Sequence, residues 1–208
     1  MSPFDVILFD VGGVLLTNGW DHQERSAAAA KFGLDLASLE ARHGTVVDAW
    51  EKGEISHDAY LDSAVFNEPR PFSRDDFFAF ILAQSKILPN GALGILAELA
   101  ASKNFMVGCL NNEARETNDY RFATFGLRQY FRVAFSSCYV GLRKPHIEIY
   151  RRAIDILGTP PERILFIDDR QENIDGALQA GMKGIRFEGE LPLRTQLNVL
   201  GVLEKNAP

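Results

Sequence analysis

The chain has 208 residues, 46% hydrophobic and 24% charged, proportions of a folded globular protein rather than a disordered one. A net charge of −6 argues against a nucleic-acid partner, and two cysteines, Cys109 and Cys138, are too few for a disulfide framework and fit a reducing compartment. The N-terminal apolar run Val6-Ile7-Leu8-Phe9 is cut short by Asp10 and lacks a basic flank, which excludes a membrane span or a signal peptide there; the expectation is a cytoplasmic protein without membrane contact.

Residues 5–9 read as a short buried strand, and Gly12-Gly13 lets the chain leave it in a tight loop. The block 21–86 carries helix signals only. Ser26-Ala-Ala-Ala-Ala-Lys31 favours helix, and Leu36, Leu39, Val46, Val47 and Trp50 form an apolar face that ends near Gly53. Ser56 and Ser73 stand as N-caps of two more helices, separated by Pro69 and Pro71. From residue 92 the pattern alternates: helix 92–102, strand 105–110, helix 113–125, strand 133–135, helix 147–157, strand 164–167, helix 174–180 and strand 184–187. Such alternation implies right-handed crossovers and a parallel sheet covered on both faces. The expected fold is α/β: a Rossmann-like parallel-sheet core from residues 1–17 and 89–208, with an all-helical cap, residues 18–88, inserted after the first strand.

Ligands of open parallel sheets bind at the carboxyl ends of the strands. Asp10 ends the first strand, Asn111-Asn112 the second, Lys144-Pro145 follow the third, and Asp168-Asp169 end the fourth. Three clustered carboxylates repel one another unless a hard cation such as Mg²⁺ joins them. Lys144 adds positive charge, and Asn111 with nearby backbone N–H groups can hold anionic oxygens. This set suits a phosphoryl group, with one carboxylate attacking phosphorus to form an aspartyl-phosphate.

In this order, Phe9-Asp10-Val-Gly-Gly-Val14-Leu15, Leu110-Asn111-Asn112, Lys144-Pro145 and Ile167-Asp168-Asp169 resemble the four motifs of the haloacid dehalogenase superfamily. The resemblance implies a Mg²⁺-dependent phosphatase acting on a small phosphorylated metabolite. It makes Asp10 the nucleophile and Lys144 the catalytic lysine that bridges nucleophile and phosphate. Asn111, Asn112 and Lys144 become the substrate-binding residues. Asp10, the Gly12 carbonyl, Asp168 and Asp169 become the metal site, with Asp169 the direct ligand of the acidic pair and Asp168 acting through water. Two positions depart from the family pattern. Asn111 stands where Ser or Thr binds phosphate, and Gly12 replaces the Asp that protonates the leaving oxygen and activates the hydrolytic water. Loss of that group costs about 10²–10⁴ in rate and favours esters with good leaving groups. It also opens the alternative of a weakly active or non-catalytic ligand-binding member. A 2-haloacid dehalogenase is the third reading, disfavoured by the acidic pair.

His22, His43, His57, His146 and Asp21 are candidates for a substitute acid, His22 foremost because it directly follows the first motif. His146 reads as the opening of a helix and Asn173 as a helix cap. Arg143 points either to solvent or to phosphate. Trp20, Trp50, Phe77, Phe78 and Phe80 either line a pocket or, the more ordinary role of aromatics at helical spacing, form core.

Overall fold

A computed structural model describes residues 2–203. Strand β1 (Val6–Phe9) is four apolar residues in a row, all buried, as a strand sandwiched between two helical layers requires. Around it lie β2 (Met106–Asn111), β3 (Val133–Ser136), β4 (Ile164–Asp168) and β5 (Lys183–Arg186), in the order β3-β2-β1-β4-β5, all parallel. Phe9 is in register with Cys109 on one side and Ile167 on the other. The chain thus winds outward in both directions from β1, whose carboxyl end is the switch point of the sheet.

Successive side chains of β1 alternate between two cores. Ile7 and Phe9 pack with α5 (Leu93–Ser102), α6 (Arg115–Thr124) and α10 (Glu190–Val199) through Ile95, Leu96, Phe122, Leu193 and Leu197. Val6 and Leu8 pack with α8 (Ile147–Leu157) and α9 (Gln171–Gln179) through Tyr150, Ala153, Ile174 and Ala177. Helix α10 lies beyond the elements expected from sequence. Gly189 and Pro192 have the look of a loop, yet Pro192 falls in the first turn, where a missing N–H costs little, and Leu193 and Leu197 bury one turn apart.

Between β1 and α5 the chain forms α1 (His22–Phe32), α2 (Leu36–Glu51), α3 (His57–Ala64) and α4 (Arg74–Ala83), with a single turn α7 (Ser137–Val140) later following β3. The hydroxyls of Ser56 and Ser73 accept from the N–H groups of Ala59 and Asp76 at 3.1 and 3.0 Å, as N-caps should. Asp21 and Glu24 make a reciprocal capping box that opens α1. These helices have an apolar cluster of their own, centred on Leu39, Trp50, Tyr60, Leu61, Phe77 and Ile81. The chain leaves the sheet side at Leu15–Thr17 and returns at Lys86–Leu88, and the two crossings are stitched together: Thr17 N–H donates to Lys86 at 2.9 Å and Leu88 N–H to Leu15 at 3.1 Å. Among the described residues no helix is long and apolar enough to cross a membrane.

Candidate active site

Asp10 follows β1 directly, and its N–H donates to the Ile167 carbonyl at 2.8 Å, which ties it to the neighbouring strand. Its Oδ1 accepts from the Val11 N–H at 2.7 Å and lies 3.0 Å from Lys144 Nζ. The same Nζ donates to Asp168 Oδ2 at 2.6 Å. Lys144 is buried between the two carboxylates. Asp168 also accepts from the Arg170 N–H at 2.9 Å and from the Asn173 amide at 2.9 and 3.0 Å. No side-chain hydrogen bond engages the Asp169 carboxylate among the described residues. Oxygens of Asp10, Asp168 and Asp169 lie within 4.8 Å of one another.

Three carboxylates around one ammonium leave an excess of negative charge, and the ionisation of the group reflects it. Burial pushes Asp10 up to about 8, against the pull of Lys144 and with the help of Asp168 and Asp169. Burial and Asp168 also raise Asp169. Burial acts in the same sense on Asp168, but Lys144, the Arg170 N–H and Asn173 outweigh it and hold that carboxyl below its usual range. The donor set is hard oxygen and underneutralised, which fits a small divalent cation. Asp168 is saturated by protein donors, whereas Asp169 and the second oxygen of Asp10 remain open to such an ion.

The loop after Asp10 closes on itself. The Val11 carbonyl accepts from Leu15 and Leu16, and the Leu16 carbonyl from Gly13 at 2.8 Å, so the Gly12 carbonyl takes no part in these bonds. The unusual backbone angle belongs to Gly13, with φ +71°, and not to Gly12. A Cβ on Gly13 would stand 2.3 Å from Asp169 Oδ2; the position needs glycine both for its dihedral and for the carboxylate that leans over it.

The two asparagines that end β2 part company. Asn111 is buried and faces inward: its amide donates to Asn118 at 3.1 Å and its carbonyl oxygen accepts from Ser136 at 2.8 Å. Its side chain is thus engaged within the core and does not border the cavity. Asn112 borders the cavity and clasps the backbone of Lys144, donating to its carbonyl and accepting from its N–H, both at 2.9 Å.

Above Asp10 and Lys144 lies a cavity of about 330 Å³, closed on the helical side by Trp20, His43, Trp50 and Glu51. His22 is not at this cavity: it is exposed and pairs with Glu40 at 2.9 Å. His57 and His146 also lie off it, and His146 is the N-cap residue of α8. Asp21 does reach the rim, where it caps α1 and pairs with Arg170 at 2.8 Å. Arg143 lines the cavity and reaches α2, 2.8 Å from Glu51 and 3.5 Å from Asp48. Asn173 is no helix cap. It sits within the first turn of α9 and holds Asp168. Trp20 and Trp50 line the cavity, and Phe77 belongs to the helical core. Sequence reasoning passed over Glu51, which burial pushes up to about 7, and the buried Glu113–Arg121 ion pair beside Gly12. The signal for Glu113 was its place directly after Asn112 at a strand end; Arg121 had none.

The model of the haloacid dehalogenase-like hydrolases matches residues 4–181. The chain belongs to this family. Flavin mononucleotide hydrolase 1 of Arabidopsis thaliana is 30% identical over 198 residues, covering 95% of this chain and 78% of that protein. Glyceraldehyde 3-phosphate phosphatase of Methanothermobacter thermautotrophicus is 28% identical over 196 residues, 89% of this chain and 86% of that one. A variant of a family enzyme from Bacteroides thetaiotaomicron, crystallised with magnesium and inorganic phosphate, shares the fold, with a TM-score of 0.75 at 22% identity over 89% of this chain and 95% of that one. The chain is thus a hydrolase whose relatives include named phosphatases.

Proposed function

We propose that the protein is a Mg²⁺-dependent phosphatase that hydrolyses a small phosphate monoester through an aspartyl-phosphate on Asp10. The observation that carries this reading is Lys144 Nζ held between Asp10 and Asp168, at 3.0 and 2.6 Å, with the unengaged carboxylate of Asp169 beside them. A carboxylate oxygen of Asp10 attacks phosphorus and the ester oxygen departs; water then cleaves the acyl phosphate. Lys144 keeps Asp10 in place and offsets charge on the phosphoryl oxygens, and Asn112 holds Lys144 by its backbone. Asp10, Asp169 and the Gly12 carbonyl would hold the cation, with Asp168 behind them. When bound, Mg²⁺ supplies the remaining charge neutralisation at the phosphoryl group.

In the same reading residues 18–88 are a cap over a core of residues 1–17 and 89–208, and the cap shapes the pocket and excludes water. The names of the two phosphate-ester hydrolases among the relatives support a phosphorylated small molecule as substrate. The unpaired cysteines Cys109 and Cys138 support a cytoplasmic setting. The test is phosphate release from a panel of phosphorylated metabolites with Mg²⁺, with chelator, and with a 2-haloacid alongside. Asp10→Asn should abolish turnover in a protein that remains folded. Activity near the wild-type level in that variant, or halide release in place of phosphate release, overturns the reading.

A further inference from the structure

Gly19 makes room for a buried guanidinium that also comes within ordinary contact distance of the place a side chain on Gly12 would take. A Cβ on Gly19 would lie 2.8 Å from one terminal nitrogen of Arg121 and 3.2 Å from both carboxylate oxygens of Glu113; a Cβ on Gly12 would lie 3.9 Å from the same nitrogen. Arg121 comes from α6 and is 1% exposed. It pairs with Glu113 through Nη1 and donates through Nη2 to the Thr17 carbonyl at 2.6 Å, while its Nε has no partner. Arg121, Glu113 and Gly12 all border the cavity that Asp10 and Lys144 enter. Burying such a pair is costly, and neither member takes part in the contacts that hold Asp10, Lys144 and Asp168.

The cavity runs from Asp10 and Lys144 to Trp20, His43 and Trp50. If the phosphoryl group sits on Asp10, the rest of the ester extends toward these aromatic side chains and passes the wall formed by Gly12 and Arg121. We propose that Arg121 contacts the leaving-group oxygen and stabilises the charge that develops there, in place of a proton donor at position 12. The idea rests on the phosphatase reading above. As Asp10 Oδ bonds to phosphorus, the bond from phosphorus to the ester oxygen breaks and that oxygen keeps the bonding pair. It leaves hydrogen-bonded to the guanidinium, which stays protonated throughout, and takes its proton from water afterwards. Glu113 is the positioning residue that holds the guanidinium against the cavity. Such a site lessens the developing charge without removing it. Its substrates are therefore esters of acidic hydroxyls: aryl, acyl or anomeric sugar phosphates rather than simple alkyl phosphates.

The test is kcat/KM, which reports the step in which the leaving group departs, over substituted phenyl phosphates and an alkyl phosphate. Wild type, Arg121→Lys and Glu113→Gln are compared, each checked for folding by circular dichroism and melting. Arg121→Lys keeps the charge, so Glu113 is not left unpaired, but it withdraws the planar donor fork. The ratio of its kcat/KM on p-nitrophenyl phosphate to that on phenyl and alkyl phosphates should rise at least about tenfold over wild type, since loss of one such donor costs about 10²–10³ when nothing replaces it and the cost is greatest for the poorest leaving groups. Glu113→Gln keeps an acceptor for the guanidinium and removes the competing charge, so its dependence on leaving-group pKa should be no steeper than that of wild type. Equal losses across the whole series in Arg121→Lys mark a structural role and overturn the proposal alone. No hydrolysis of any ester by the wild type in Mg²⁺ overturns the phosphatase reading, and this proposal with it.

Discussion

Asn173 donates its amide to both carboxylate oxygens of Asp168, at 2.9 and 3.0 Å. The bond makes Asp168 a fixed, fully engaged carboxylate and leaves Asp169 as the open member of the acidic pair. On the proposed assignment, Asp169→Ala removes a charged oxygen ligand and should therefore raise the Mg²⁺ concentration for half-maximal activity at least about tenfold. Asn173→Ala, which only loosens a supporting carboxylate, should shift it less. Equal midpoints in activity titrations of the two variants would argue against Asp169 as the direct ligand.

Gly13 should tolerate no side chain. Its φ of +71° costs an L-residue about 1–2 kcal/mol, and the new Cβ would meet Asp169 Oδ2 at 2.3 Å. Gly13→Ala is expected to lower the melting temperature and to raise the Mg²⁺ concentration for half-maximal activity together, because relief of the clash displaces the Asp169 carboxylate. A variant with wild-type Mg²⁺ titration and stability would contradict this.

Tyr60 joins the two walls of the helical core. Its hydroxyl accepts from Trp20 Nε1 at 2.5 Å and stands 2.8 Å from His43 Nδ1, while its ring stacks on Trp50 at 3.8 Å between centroids. Tyr60→Phe keeps the stacking and strands a buried indole N–H, at a cost of about 1–3 kcal/mol. Denaturant unfolding measures that loss, and a variant as stable as wild type would show that the indole finds another acceptor.

His43 should make the protein sensitive to acid. Burial pulls its imidazole down to about 4, helped by the charges of Arg25 and Arg143 and opposed by Glu40 and Asp21; the Tyr60 hydroxyl faces Nδ1. In the unfolded chain the group titrates near the ordinary value of about 6.5. Between these values the unfolded state binds the proton more tightly, so stability is full above about pH 6.5 and falls as the pH drops toward 4. The loss attributable to His43 is on the order of 3 kcal/mol across that window. Urea unfolding of wild type and His43→Gln at pH 7 and pH 4.5 separates it from other titrations: the variant should lose clearly less stability. Parallel losses would mean that His43 accepts its proton in place.

The three inner strands β1, β2 and β4 are legible in the sequence because each is a short, mostly buried apolar run that stops at Asp or Asn, whereas the edge strands β3 and β5 are shorter and partly exposed and carry a weaker signal. The site is legible to the same extent. Asp10 and Asp168 follow from strand ends, since backbone pairing of β1 with β4 brings those ends together. What faces inward from a helix is harder to read. Asn173 resembles a cap because an asparagine near a helix start usually is one, and only the fold brings Asp168 within its reach. Arg121 lies 104 residues from its acceptor Thr17, and nothing local marks it as buried. His22 misleads for the opposite reason: its nearness to Asp10 in sequence does not survive the capping box at Asp21 and Glu24, which turns α1 so that this imidazole meets Glu40 and solvent.

The stitched crossings at Leu15–Thr17 and Lys86–Leu88 bear on how such a molecule can change. Measured at its base, the whole excursion through four helices is no wider than one hydrogen bond. To the sheet it counts as a tight turn, whatever its contour length, and the entropy of closing a longer excursion rises only with the logarithm of that length. Helices can therefore be added, trimmed or exchanged beyond the stitch without altering the register of β1 against β2 and β4. The helical excursion is free to diverge, while Asp10, Lys144 and Asp168 keep their places on the scaffold beneath it.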